Sequence, residues 1–398
     1  MSSVVPEGWK LSPLGDIASV NWGNTSLTKN NYTEIGFPAF SAAGNDGLVS
    51  NAEHTSTGVV LSAIGARCGR TFLTPQKWTA IKNTITILSD DQDIRFLYQV
   101  FNFDEVWNKS GGAQPFISLG DARKTLILHP PLPEQKKIAS ILTSVDEVIK
   151  NTQKQIDKLQ DLKKATMNEL LTKGIGHTEF KDSELGRIPK SWEITKISDI
   201  RDTADRYSFT GGPFGSNLKR EDYSEKGIRI IQLQNIGDGQ FLDKYKIYTS
   251  EEKADDLFSC NIYPGDIILS KMGDPVARAT LIPDFDTRYL MASDGIRLSI
   301  NKEKYSGKFI LESINHHTFR YQAELSSTGS TRKRIGLTDL RTLLIACPIL
   351  AEQKEIASIL ISMDKNIKEK QHKLTQTQSL KKSLMQDLLT GKVRVTVN

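Results

Sequence analysis

The sequence predicts two mixed α/β (α+β) domains joined by two long helices that form an antiparallel coiled coil, with a pseudo-two-fold internal repeat. Three observations predict this: a gapless duplication, heptad spacing within each copy, and two dissimilar blocks that share only short echoes. Residues 119–172 and 337–390 align at a constant offset of 218, with 28 of 54 positions identical. Glu134-Gln135-Lys136 followed by Ile138 to Leu142 returns as Glu352-Gln353-Lys354 followed by Ile356 to Leu360. Agreement at that level without a gap means duplication.

Each copy reads as a long helix. Ile138, Leu142, Val145, Ile149, Ile156 and Leu159 keep the a/d spacing of a coiled coil. Ile356, Leu360, Met363, Ile367, Leu374, Leu384 and Leu388 hold the same register in the second copy. Pro133 suits a first helical turn, and Gly174 and Gly391 suit C-caps. A helix from about Glu134 to Leu171 would be roughly 55 Å long. Its apolar seam needs a cover, and the other copy is the economical one. The alternative is that each helix covers its own block as core. Polar seam positions (Thr152, Lys163, Lys370, Thr377) leave room for a loose seam or for another protein.

The blocks read as short strands punctuated by glycine and polar residues. Strands are expected at residues 58–62, 81–87, 228–234 and 265–270, a helix over 305–325, and a linker over 173–190. Pro6 to Trp9 reappears as Pro189 to Trp192, and Val59 to Gly65 as Ile267 to Gly273, an offset of 208 that also pairs Arg70 with Arg278. Four segments follow: block 1–118, repeat 119–176, linker and block 177–336, repeat 337–398.

Composition excludes several classes. The chain has 398 residues, 38% hydrophobic and 25% charged, and no apolar run approaches the roughly 18 residues of a membrane helix. The N-terminus lacks a basic region followed by an apolar stretch, so a cytoplasmic protein is expected. Cys68, Cys260 and Cys347 are isolated and odd in number, which fits reduced thiols rather than disulfides or a zinc site. The net charge of +5 is unevenly spread: +3 and +4 on the repeats, −2 and 0 on the two blocks. An anionic partner must therefore be held by local clusters.

No catalytic or metal-binding pattern emerges. A phosphate-binding G-x-x-x-x-G-K-[ST] loop is absent. The stretch Thr210 to Ser216 joins no strand to a helix, and the glycine and Asn/Asp-Pro-Pro-aromatic motifs of adenine methyltransferases are missing. Glu134-Gln-Lys136 mimics a nuclease triplet but opens a helix, without the acidic residue a metal site needs. His316-His317 lacks the i, i+4 spacing of a ligand pair and reads as an exposed helical pair. The chain is expected to be a reader or a scaffold.

Long helices opening with L-P-x-E-Q-x-x-I, duplicated and alternating with two unlike α/β blocks that begin near Pro-x-x-Trp, resemble the specificity subunit of type I restriction–modification systems. The Gly265-Asp-Ile-Ile-Leu-Ser to Gly273 hairpin and the Gly329-Ser-Thr to Ile335 run are similar to its target-recognition domains. In the first half Gly111-Gly-Ala-Gln-Pro-Phe-Ile117 stands in place of Gly-Ser-Thr, and Gly58-Val in place of Gly265-Asp266.

The resemblance implies that each block reads one half of a split, asymmetric sequence in double-stranded DNA. The helices would fix the unread spacer and dock two methyltransferase subunits. Those partners would hold S-adenosylmethionine, and ATP-driven, Mg2+-dependent motor–nuclease subunits would join them in defence against foreign DNA. This chain would bind no cofactor and no metal itself and carry no catalytic residue. A stand-alone DNA-binding regulator and a helical scaffold are the alternatives.

Candidate DNA contacts follow from residue type and loop position. The foremost is the loop of Ser330, Thr331, Arg332, Lys333 and Arg334, with hydroxyls, glycine backbone and three adjacent cations. Lys271 with Arg278, and Arg67 with Arg70, flank a tight hairpin in the second and first halves. Gly212, Ser216, Asn217, Lys219, Gln232, Gln234 and Asn235 are polar, amide-rich candidates. Lys109 and Gln114 occupy the pre-helix loop of the first half.

Overall fold

The computed structural model describes residues 5–103, 106–329 and 332–396. It divides into two compact units, Met1–Ile156 with Glu369–Asn398, and Asp157–Lys368. The long helices are Leu132–Lys173 and Leu350–Leu388, so both divisions fall mid-helix rather than at the repeat edges. Each unit owns one block, the front of one helix and the back of the other.

Both blocks use one strand plan. In the first unit, Ser19–Trp22, Thr84–Leu88, Val59–Ser62 and Thr71–Leu73 form an antiparallel sheet in that spatial order. In the second, Phe209–Gly211, Gly295–Leu298, Ile267–Ser270 and Ala279–Leu281 repeat it. The central strands are buried throughout, which explains their unbroken apolar runs. A second sheet in each unit contains a parallel pair: Phe37–Ser41 with Thr79–Ala80, and Ile228–Ile231 with Tyr289–Met291. The expected strands over 81–87 and 228–234 are shorter than their apolar runs, since Ile81–Asn83 forms a turn and Leu233–Asn235 a 3-10 turn.

The Pro-x-x-Trp echo acquires a purpose. Lys10–Pro13 pairs with Leu126–His129, and Glu193–Lys196 with Leu344–Cys347, so the start of each block is stitched to the strand just before its long helix. Trp9 and Trp192 seed the two cores. Trp9 packs with Leu14, Phe96, Ile138 and Leu142 and with Met385, Leu388 and Leu389 from the end of the second helix. Trp192 packs with Phe309, Ile356 and Leu360 and with Leu171 from the end of the first. Each such fully buried aliphatic side chain contributes about 1.5–3 kcal/mol.

The apolar seam is thus divided among three roles. Its first turns (Ile138, Leu142, Ile356, Leu360) are core of their own block, as the alternative reading had it. Leu171 and Leu388 are core for the opposite repeat's block. Ile156 and Ile367 are buried without joining either core, with Val145, Ile149, Leu159, Met363, Leu374 and Leu384 half-buried. In the first unit Lys381 pairs with Asp146 at 2.7 Å and Lys370 donates to Gln155 at 2.8 Å. In the second, Lys163 pairs with Asp364 at 2.6 Å. Numbers that fall on one helix as they rise on the other mean antiparallel pairing. Asp146–Lys381 and Asp364–Lys163 are one pair of repeat positions used in both directions, as in an isologous contact. Of the polar seam residues, Lys163 and Lys370 therefore have partners on the other helix.

The Glu-Gln signature is structural. Glu134 takes a bidentate pair from Arg394, both oxygens at 2.8 Å, while Glu352 accepts from the Ile175 amide at 3.1 Å and sits 2.8 Å from His177 Nε2. Gln135 and Gln353, both buried, each donate to a preceding proline carbonyl at 2.8 Å. Gly174 and Gly391 take positive φ after the helices, as C-cap glycines do.

Two expectations need correction. Residues 173–190 are no bare linker: Phe180–Ser183 and Gly186–Pro189 form a hairpin whose Ile188 joins the second core. The stretch 305–325 is two helices, Gly307–Asn315 and His317–Leu325, broken at His316. His316 is buried at the break and lies 3.2 Å from Asn168 Oδ1, so only His317 is exposed. Burial, with His317 adding to it, pushes the His316 imidazole down to about 4.

Candidate nucleic-acid interface

In both units the parallel strand pair ends on a turn that several other segments share. In the first unit this turn is Ile81–Asn83. Asn24 N–H donates to Ala80 O at 2.8 Å, Ile81 N–H to Phe40 O at 2.9 Å, and Ala63 N–H to Asn83 O at 3.1 Å. In the second it runs from Ala292 to Asp294. Gly212 N–H donates to Gly295 O at 2.8 Å, Ala292 N–H to Ile231 O at 2.9 Å, and Lys271 N–H to Asp294 O at 2.7 Å. The pre-helix loop closes each arrangement, through Gly65 to Pro115 and Ile117 to Ala63, and through Gly273 to Lys333 and Ile335 to Lys271. These bonds are all backbone, so the side chains at the turn are free to differ. Gly212 permits the close approach, because a Cβ there would collide with the Ala292 carbonyl.

The structure thereby brings part of the expected set together around this turn in each unit. In the first, Arg67, Arg70, Lys109 and Gln114 are all exposed around this meeting point, with the Lys109 stem against Gly69. An open cleft of about 580 Å³ lies beside them, lined by Lys29, Asn30, Arg67, Lys82 and Asn83 among others. Lys29 is bound to Asp46, which also accepts from Tyr32 at 2.6 Å and Ser41 at 2.8 Å. Burial opposes ionisation of Asp46, but these donors keep its carboxyl below the usual range. Arg67 and Lys82 have no ion pair among the described residues, so they give the cleft its free positive charge. Lys82, Asn83 and Asn30 were not singled out from sequence. The shared turn that places them depends on strand pairings distant in the chain.

In the second unit Gly212, Ile231, Lys271 and Arg334 meet the turn from Ala292 to Asp294, with Gln232 following Ile231 in the chain. Two of the three loop cations are neutralised within the chain: Arg334 pairs with Asp294 and Lys333 with Glu324, leaving Arg332 exposed. Ser330 and Thr331 lie outside the described residues. Arg278 lies against Gly273, near Arg320, which donates to the Val276 carbonyl at 2.9 Å and pairs with Asp238 at 2.6 Å. Burial draws the Arg320 guanidinium down to about 10, with Asp238 opposing and Arg278 reinforcing the shift. Ser216, Asn217 and Lys219 are exposed on the loop after Gly212, and Gln234 on its own turn. Asn235 departs from the expected pattern: it is buried and gives its amide to Leu242 O at 2.9 Å and Tyr245 O at 3.0 Å. It supports its loop.

Among the described residues no group of three or more His, Cys, Asp or Glu could hold a metal ion, and no helix is long and apolar enough to cross a membrane. Cys68 is half-buried and Cys260 and Cys347 are buried, and none forms a disulfide.

The family described as type I restriction modification DNA specificity domain matches residues 6–161 and 189–377. The type I restriction enzyme MjaVIII specificity subunit of Methanocaldococcus jannaschii is 27% identical, over 98% of this chain and 94% of that protein. The putative MjaX specificity subunit of the same organism is 32% identical over 67% of this chain and 59% of that protein. Among solved structures, the S subunit of a type I restriction–modification system from M. genitalium superposes with a TM-score of 0.63 at 14% identity, covering 96% of each chain. A structure from work on complex assembly and conformational transition of the type I R-M system gives 0.57 at 16% identity, covering 98% of this chain and 100% of that one. The structural likenesses show a shared fold.

Proposed function

The chain belongs to the type I restriction modification DNA specificity domain family, and on that premise we propose that it reads a bipartite, asymmetric DNA site, one half per α/β block. One observation carries the reading: the same backbone-bonded turn recurs in both units with different side chains upon it. A common scaffold with exchangeable contacts suits two readers of unequal half-sites. Arg67 and Lys82 supply phosphate contacts in the first, and Arg332 and Lys271 in the second.

The helices set the unread spacer, and their repeats dock two adenine-methyltransferase subunits. Leu162 and Leu380, the same repeat position, are 55% and 54% exposed, which supports one kind of partner used twice. S-adenosylmethionine belongs to those partners, and ATP and Mg2+ to motor–nuclease subunits that join them. The chain itself has a positioning role, in the cytoplasm, and no catalytic group.

The test is an exchange of residues 188–336 for the matching block of another family member, with methylated adenines mapped genome-wide in cells that also carry the methyltransferase. One half of the modified sequence should change and the other persist. A change in both halves would sink the division of labour.

A further inference from the structure

We infer that Phe214 is an aromatic wedge that stacks on base faces of the DNA, a role resting on the DNA-reading function proposed above. Its ring is 83% exposed, although an aromatic side chain loses by standing in water. The loop presenting it is braced at both ends. Gly212 is bonded to Gly295, Pro213 is buried, and Leu218 sits in a small core with Ile230 and Leu290. Between these anchors Phe214, Gly215, Ser216 and Asn217 are all exposed, and Asn217 N–H closes the tip onto Phe214 O at 2.8 Å. The result is a short, fixed tip bearing one flat apolar group.

Position assigns the occupant. Gly212 touches the same turn, Ala292 to Gly295, that holds Lys271 and the Arg334–Asp294 pair, so the tip rises beside a polar cluster in which Lys271 has no ion pair among the described residues. An apolar ring beside phosphate-seeking groups matches a base face. Such side chains insert at base steps and kink the duplex, and stacking does not depend on which base is met. At the corresponding place in the first block, after Gly23, the chain carries no aromatic residue and turns through Asn24, whose Oδ1 accepts from Ser26 N–H at 2.9 Å. The Phe214 tip is therefore particular to the second block.

The experiment uses the full chain assembled with its methyltransferase partner and a duplex recovered from a randomised library by selection. Affinity is read by anisotropy and bending by energy transfer between the duplex ends. Phe214→Ala should weaken binding about tenfold and relax the bend, whereas Phe214→Trp should keep both, with assembly unchanged on a sizing column. Unchanged affinity and bend in Phe214→Ala would overturn the inference alone, and loss of assembly would replace it with a protein contact. Failure of the unaltered complex to bind any duplex would overturn the DNA-reading function, and the wedge with it.

Discussion

At the shared turn the first block carries Lys82 and Asn83 where the second carries Ser293 and Asp294. Two of the backbone bonds at the two turns correspond directly, Ile81 to Phe40 with Ala292 to Ile231 and Ala63 to Asn83 with Lys271 to Asp294, yet the local charge is reversed. Asp294 captures Arg334, while Lys82 and Arg67 stand unpaired at the cleft. A site built on main-chain bonds tolerates any side chain that clears its neighbours. The helical repeats behave oppositely, because Asp146–Lys381 and Asp364–Lys163 are side-chain bonds and both partners are identical between copies.

The largest expected effect tests whether the two cores are equivalent. Trp192 is fully buried with Phe309 edge-on, whereas Trp9 is capped by the Arg394 guanidinium. Trp192→Ala should cost about 3–5 kcal/mol and Trp9→Ala somewhat less, measured by denaturant unfolding. Equal losses would show the caps to be irrelevant.

Steric demand at the turn comes next. Gly212→Ala should cost about 2 kcal/mol because the Ala292 carbonyl must move. Gly65→Ala, with open space but φ of +93°, should cost about 1 kcal/mol. Reversal of that order in thermal melts would contradict the packing described.

Acid should separate the units. His316 titrates at about 4 when folded, against 6.5 for a free imidazole. A depressed histidine leaves full stability above pH 6.5 and loses it progressively as pH falls toward 4. By pH 5 the loss is about 2 kcal/mol. His316→Gln should flatten this part of the pH dependence of unfolding, and an unaltered profile would exclude the buried imidazole as its source.

The smallest effect concerns DNA. Arg67→Ala should reduce the slope of log affinity against log salt by about one and cost roughly 1 kcal/mol. Lys333→Ala should change it less, because Glu324 already holds that charge. Filter binding between 50 and 200 mM salt, values chosen to span roughly the range where counterion release is steep, distinguishes the two. Identical slopes would mean that the internal ion pair opens on binding.

Much of the fold was legible. The helices begin and end within a few residues of where Pro133, Gly174 and Gly391 place them, and the strands at Val59–Ser62 and Ile267–Ser270 lie where their apolar runs do. Less of the interface was. Arg67, Arg70, Lys271 and Arg278 were singled out as candidates because they flank an echoed hairpin. Lys82 and Asn83 were passed over because a short Lys-Asn in a turn carries no local signal. Arg334 read as a free cation, since Asp294 lies 40 residues away in sequence.

The sequence by itself determined the duplication, the helical repeats, several of the strands and the family, because periodicity and identity are local or linear properties. Only the tertiary structure decided that each helix seam is shared between two cores, that the glutamate of each Glu-Gln signature binds the segment following the other helix, and which cations remain unpaired. Those outcomes depend on which groups meet across hundreds of residues, and charge is neutralised or left free only at that meeting.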